Sequence, residues 1–278
     1  AGTGTVAVNA DNLSVDYTPA ANFNGTEIIT YTVSDGTLTD ATGTLTITVT
    51  AVNDAPVAVA NTLTVLEDAA LTSTDVIAND TDVDSGDTLT LTVVSTAGTG
   101  TVAVNADNLS VDYTPAANFN GTEIITYTVS DGTLTDATGT LTITVTAVND
   151  APVAVANTLT VAKDAALTST NVIANDTDVD SGDTLTLTVV STAGSGTVAV
   201  NADNLSVDYT PAANFNGTEI ITYTVSDGTL TDATGTFTIT VTAINDAPVA
   251  TDQSVTTIQD IPLEITLAGT DIESDGLT

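Results

Sequence analysis

The chain has 278 residues, with 36 Asp and Glu against a single Lys or Arg, and a formal charge of −35. Such a surface repels phosphate backbones and anionic bilayers, which excludes nucleic acid and membrane insertion as modes of action. His and Cys are absent, so neither disulfide staples nor a Ser-His-Asp or Cys-His nucleophile can be built, and no stretch approaches the ~20 apolar residues of a membrane span.

Residues 1–52 return unchanged as 97–148. At Asn53-Asp54-Ala55-Pro56 a proline stops the preceding alternation of Thr with apolar residues, because it cannot donate to a sheet ladder. The same four residues return at Asn149-Asp150-Ala151-Pro152 and at Asn245-Asp246-Ala247-Pro248, both intervals being 96 residues (149 − 53 and 245 − 149). Repeats 53–148 and 149–244 differ only at Leu66/Ala162, Glu67/Lys163, Asp75/Asn171, Thr99/Ser195, Leu141/Phe237 and Val148/Ile244. The expected domains are therefore the later half of a repeat (1–52), complete repeats 53–148 and 149–244, and the opening part of another (245–278). A unit of 96 residues can bury a core of its own, which favours separate domains over the turns of a solenoid.

Along repeat 53–148, strands are expected over Val57 to Val65, Leu71 to Ile77, Leu89 to Val93, Thr101 to Val104, Leu109 to Tyr113, Glu123 to Val129 and Thr140 to Val148. The alternation of Leu89, Leu91 and Val93 with Thr is the period-2 mark of a half-buried strand, and Ile125, Tyr127 and Val129 share one face. Gly98, Asn105 to Asn108, Pro115, Asn120-Gly121 and Asp131-Gly132 punctuate the strands. About seven short strands with no helical period predict an all-β chain of tandem immunoglobulin-like sandwiches, with Tyr127 as a packed or corner tyrosine.

Carboxylates gather at four places in the repeat: Glu67-Asp68, Asp80 to Asp87, Asp131 with Asp136, and the linker Asn149-Asp150. Two carboxylates ~5 Å apart repel by roughly 3 kcal/mol at an effective dielectric near 20, so acidic clusters without basic neighbours favour a bound cation. Hard cations take roughly 6–8 oxygens from carboxylates, amides and carbonyls. The run Asp80-x-Asp82-x-Asp84 is not an EF-hand, because Ser85 stands at its Gly position and Leu91 at its bidentate Glu position. The sequons at Asn12, Asn24 and Asn79 are what so Thr-rich a chain contains by chance.

The whole set resembles the bacterial cadherin-like repeats of large surface or secreted adhesins and, more distantly, cadherin extracellular domains. Asn149-Asp150-Ala151-Pro152 resembles the cadherin linker, Asp178-Val179-Asp180 the Asp-x-Asp element, Asp227-Gly228 the late Asp, and Glu67 the first-strand Glu. The resemblance implies Ca²⁺ between consecutive domains. It would be held at the junction at 53 by Asn53, Asp54, Asp82, Asp84 and Asp131, and at the junction at 149 by Glu67, Asn149, Asp150, Asp178, Asp180 and Asp227. At 245 the set would be Asn245, Asp246, Asp271 and Glu273. Ala147 and Ala151 replace linker ligands of the animal family, and Asn118 and Asn120 stand nearest its mid-domain acidic motif, so fewer ions per junction are expected. Lys163 replaces Glu67 one repeat later, which predicts weaker Ca²⁺ binding at 245.

With the acids in cation-type loops and no partner base, catalysis is not expected. The expected role is a linear rod of spacer repeats in an extracellular or bacterial surface adhesin, partnered by its own neighbouring repeats. The alternative is a fibre subunit in which 245–278 of one copy complements 1–52 of the next. A sugar- or protein-binding module lacks the exposed aromatic or variable loop it would need.

Overall fold

The computed structural model describes residues 4–37, 39–84, 86–134, 138–231 and 235–273. Ser85, Asp136 and the last five residues of segment 245–278 lie outside the described residues. The chain divides into two compact units, Ala1–Val148 and Asn149–Thr278. Among the described residues every regular element is a strand.

In the first unit β1 (Thr5–Val8) pairs with β2 (Val15–Thr18), and β3 (Gly25–Ser34) with β4 (Thr39–Val49). The complete repeat follows as β5 (Asn61–Leu66), β6 (Thr72–Asp75), β7 (Thr90–Val94), β8 (Thr101–Val104), β9 (Ser110–Thr114), β10 (Gly121–Ser130) and β11 (Gly139–Thr146). These form two sheets, ordered β5-β11-β10-β7 and β6-β9-β8. β5 runs parallel to β11, and the other pairs are antiparallel.

The second unit repeats the arrangement with β12 (Asn157–Ala162), β13 (Thr168–Asn171), β14 (Thr186–Val190), β15 (Thr197–Val200), β16 (Ser206–Thr210), β17 (Gly217–Ser226) and β18 (Gly235–Thr242). A short pair, β19 (Val249–Ala250) and β20 (Gly269–Thr270), closes it.

Period-2 alternation sends Ile125, Tyr127 and Val129 of β10, with Leu141, Ile143 and Val145 of β11, to the inner face, where all are buried. The Thr residues between them face outward, as suits β-branched polar side chains on a pleated surface. Tyr127 is the corner tyrosine: its hydroxyl donates to the carbonyls of Val59 (2.7 Å) and Val76 (3.0 Å). Burial, and after it the charge of Asp80, pushes the Tyr127 phenol up to about 12. Its ring lies on its cross-strand partner Gly139, where an added Cβ would stand 2.3 Å from Cζ; only glycine fits.

The first strand of the repeat starts at Asn61, four residues later than its apolar pattern predicts. Side chains take the place of a ladder over Val57 to Ala60. Val59 N donates to Asp80 Oδ1 (2.7 Å) and Val59 O accepts from Tyr127 and from Asn61 Nδ2 (2.8 Å), while Val57 makes only an isolated bridge to Thr81.

Tyr31 of segment 1–52 is 48% exposed, where its equivalent Tyr127 is 1% exposed. A hairpin of this sequence does not bury its own inner face; the facing sheet does.

Candidate metal centre

The linker Asn53-Asp54 folds back on the loops of its own repeat. Asn53 Nδ2 donates to Asp131 Oδ2 (2.5 Å), and Asp54 N donates to Asp84 Oδ2 (2.7 Å). Asp84 N in turn donates to Asp82 Oδ1 (2.8 Å). Asp131 Oδ1 is fixed by the amides of Thr133 and Leu134, both at 2.6 Å. The five residues expected at the junction at 53 therefore meet at one end of the sandwich, although up to 78 positions separate them in the chain.

The second unit builds the same end. Asn149 Nδ2 donates to Asp227 Oδ2 (2.6 Å), Asp150 N to Asp180 Oδ2 (2.7 Å) and Asp180 N to Asp178 Oδ1 (2.9 Å). In segment 245–273 the pattern recurs with Glu in place of the second Asp. Asp246 N donates to Glu273 Oε2 (3.0 Å), Glu273 N to Asp271 Oδ1 (3.0 Å), and Asn245 Nδ2 to the Asp246 carbonyl (3.0 Å).

Carboxylate oxygens of Asp82, Asp84 and Asp87 lie within 4.8 Å of one another, as do those of Asp178, Asp180 and Asp183. Asp82 Oδ2 and Asp178 Oδ2 are buried and have no hydrogen-bond partner. Partial desolvation, and after it repulsion from Asp82, Asp84 and Asp131, pushes the Asp87 carboxyl up; Asp183 is pushed up by the equivalent neighbours. Donors act the other way on the late Asp of each repeat. The Leu134 amide, Asn53 and the Thr133 amide hold Asp131 far below the usual carboxylate range. Asn149 first, with the Leu230 and Thr229 amides, does the same for Asp227.

An orphaned buried carboxylate oxygen among crowded acids is the donor set a hard divalent cation such as Ca²⁺ accepts. Asp87 and Asp183 were not among the residues the resemblance implied. Both belong to the acidic run that ends each loop, three residues past the Asp-x-Asp pair, and that spacing was the available signal. In the first unit, Asn22 and Asn24 face Asp54 and Asp84 across a cleft of ≈ 250 Å³. These two amides correspond to Asn118 and Asn120.

A profile of the bacterial Ig domain matches residues 1–48, 53–144 and 149–240. The chain belongs to the bacterial Ig domain family. Among solved structures it is similar to protocadherin gammaB7 EC3-6, at 18% identity and a TM-score of 0.55 over 97% of this chain and 76% of that one. Mouse cadherin-23 EC22-24 matches at 18% identity and a TM-score of 0.52 over 79% of this chain and 74% of that one. At these identities the likeness is one of fold: tandem immunoglobulin- or cadherin-like domains. An endo-fucoidan hydrolase aligns at 19% identity over 88% of this chain with a TM-score of 0.30, and the chain spans 38% of that protein's length. A search of the curated proteins found no match to this sequence. The chain is thus a run of tandem bacterial Ig-like domains whose fold is shared with cadherin-type tandem domains.

At the far end of repeat 53–148, Glu67 is buried beside the outgoing chain. Its Oε1 accepts from Val148 N (2.6 Å), and Asn120 Nδ2 reaches its Oε2 at 3.4 Å. One repeat later the position belongs to Lys163, with its side chain 1% exposed and Nζ 2.7 Å from Asp246 Oδ2. Nζ also pairs with Glu273 Oε1. Asp246 and then Glu273 raise the Lys163 ammonium above its ordinary value, and Lys163 holds Glu273 below its own.

Proposed function

We propose that the chain is a run of calcium-stiffened spacer repeats from a long extracellular or cell-surface adhesin, and not an enzyme. The observation that carries the reading is the acidic end of each complete repeat. Five residues distant in sequence converge there, they hold each other through backbone and amide donors, and one buried carboxylate oxygen is left without a partner.

In repeat 53–148 the ligands would come from Asp54, Asp82, Asp84 and Asp87, with Asn53 and Asp131 orienting the linker. In repeat 149–244 they would come from Asp150, Asp178, Asp180 and Asp183, with Asn149 and Asp227 in the orienting role. Glu67 is proposed to contribute to the junction at 149, on the strength of the cadherin resemblance. A bound divalent ion would supply the positive charge that this side-chain set lacks. It would also fix the linker against the loops. Near-identity of the copies fits a part whose role is length, since a recognition surface would need only one copy.

Calorimetric titration of Ca²⁺ into chelator-stripped protein tests this. Saturable binding, lost at both complete repeats in an Asp82→Asn/Asp178→Asn double variant that still unfolds cooperatively, is expected. Absence of heat and of any calcium-dependent melting shift in the unmodified chain would dismiss the reading.

A further inference from the structure

Every acidic end in this chain faces the same difficulty, the mutual repulsion of carboxylates packed at the head of a domain. At the end formed by Asp246, Asp271 and Glu273 the difficulty is met by the protein itself. We infer that Lys163 is a tethered cation: its ammonium clasps Asp246 and Glu273 and closes the junction at 245 without a metal ion, leaving that joint insensitive to calcium.

Four observations carry this. The side chain of Lys163 is almost wholly buried although Lys is rarely so unless paired. Both of its partners come from the segment that begins at 245, one from the linker and one from the Asp-x-Glu loop. The same Glu273 carboxylate binds the Asp246 amide through its other oxygen, so a single ammonium holds a linked pair. The Lys163 backbone is itself anchored, N–H to Thr242 O at 2.8 Å, on the last strand of the preceding sandwich. The rest of repeat 149–244 is so nearly a copy of 53–148 that the exchange of Glu67 for Lys163 is the one difference between them that inverts a charge.

An ammonium and a divalent ion cannot share this space. Lys163 removes one carboxylate from the junction and places a positive charge against two of the remaining ones, so the driving force for ion uptake is largely spent. The array then contains two kinds of joint, one governed by calcium and one built in. That contrast rests on the calcium reading above; the clasp itself does not.

The test is hydrogen exchange on the full chain in excess chelator, followed at the amides of segment 245–273, where Asp246 N and Thr251 N report closure. Wild type is expected to protect them. Lys163→Gln should lower protection at least fivefold while the amides of β17 and β18 stay unchanged, and Lys163→Arg should stay within about twofold of wild type. Equal protection in wild type and Lys163→Gln would overturn the clasp. Lys163→Glu supplies the separate arm: open in chelator, it should regain protection in millimolar calcium, whereas wild type should not respond. A calcium response of wild type at these amides as large as that of Lys163→Glu would overturn the claim of insensitivity. If Lys163→Gln opens the segment but Lys163→Glu does not regain protection, the clasp stands and the calcium reading is what fails at this end.

Discussion

Glu123 and Asp82 are carboxylates of the same repeat in opposite circumstances. Glu123 is buried on β10 and fully engaged: Oε1 accepts from Thr99 N (2.5 Å), Thr99 Oγ1 (2.7 Å) and Gly100 N (3.3 Å), and Oε2 from the Tyr113 hydroxyl (2.7 Å). Burial alone would raise its pKa, and these donors outweigh that and lower it. Asp82 sits among other acids with one buried oxygen unmatched. The core of the sandwich thus completes its own polar chemistry, whereas its end keeps a buried carboxylate oxygen unmatched. On the proposed reading an outside ion would complete that end, while at 245 Lys163 already pairs with Asp246 and Glu273.

The sharpest way to break the comparison is to remove the self-sufficient carboxylate. Glu123→Ala strands the Thr99 and Gly100 amides and the Tyr113 hydroxyl, and should destabilise repeat 53–148 by about 4 kcal/mol in denaturant unfolding, equally with and without calcium. Its pH dependence has a definite direction. Because the folded value is lowered, the stabilisation is present above the ordinary Glu range and is lost as pH falls through the folded value. Wild type should therefore weaken more between neutral pH and pH 3 than Glu123→Gln does.

Next in size, Gly139→Ala drives a methyl into the Tyr127 ring and should cost about 3 kcal/mol, again without regard to calcium. The end should behave in the opposite way. Calcium at about 100 times its Kd should raise the unfolding free energy of a complete repeat by about 2.7 kcal/mol, and chelator should remove that gain. The smallest effect carries an inverted sign. Asp82→Asn should abolish the calcium gain of repeat 53–148, yet in chelator it should leave the repeat roughly 0.5 kcal/mol more stable, since one unmatched charge is gone. A loss of stability in chelator would mean that the acidic end is self-sufficient after all.

Much of the fold was legible because period-2 alternation is a direct record of which face is buried, as at Ile125, Tyr127 and Val129. Glu123 lies on the same parity as those three, so its inward aim was legible too; only the donors that await it, 10, 23 and 24 positions back, were not. The late start of the first strand could not be read, because the partners of Val59 are the side chains of Asp80 and Tyr127, and no local pattern encodes them. At the acidic end, the linker and the Asp-x-Asp pair were recognisable from spacing. Asp87 has no counterpart in the elements that carry the cadherin resemblance, and only the folded loop brings its carboxylate beside those of Asp82 and Asp84.

The central claim is that ions at the acidic ends turn separate sandwiches into a stiff run. Small-angle scattering of the full chain, first in millimolar calcium and then in excess chelator, tests it most directly. A maximum dimension that shortens and a distance distribution that broadens on chelation, both reversed when calcium returns, are the results expected; superimposable curves in the two buffers would contradict the account.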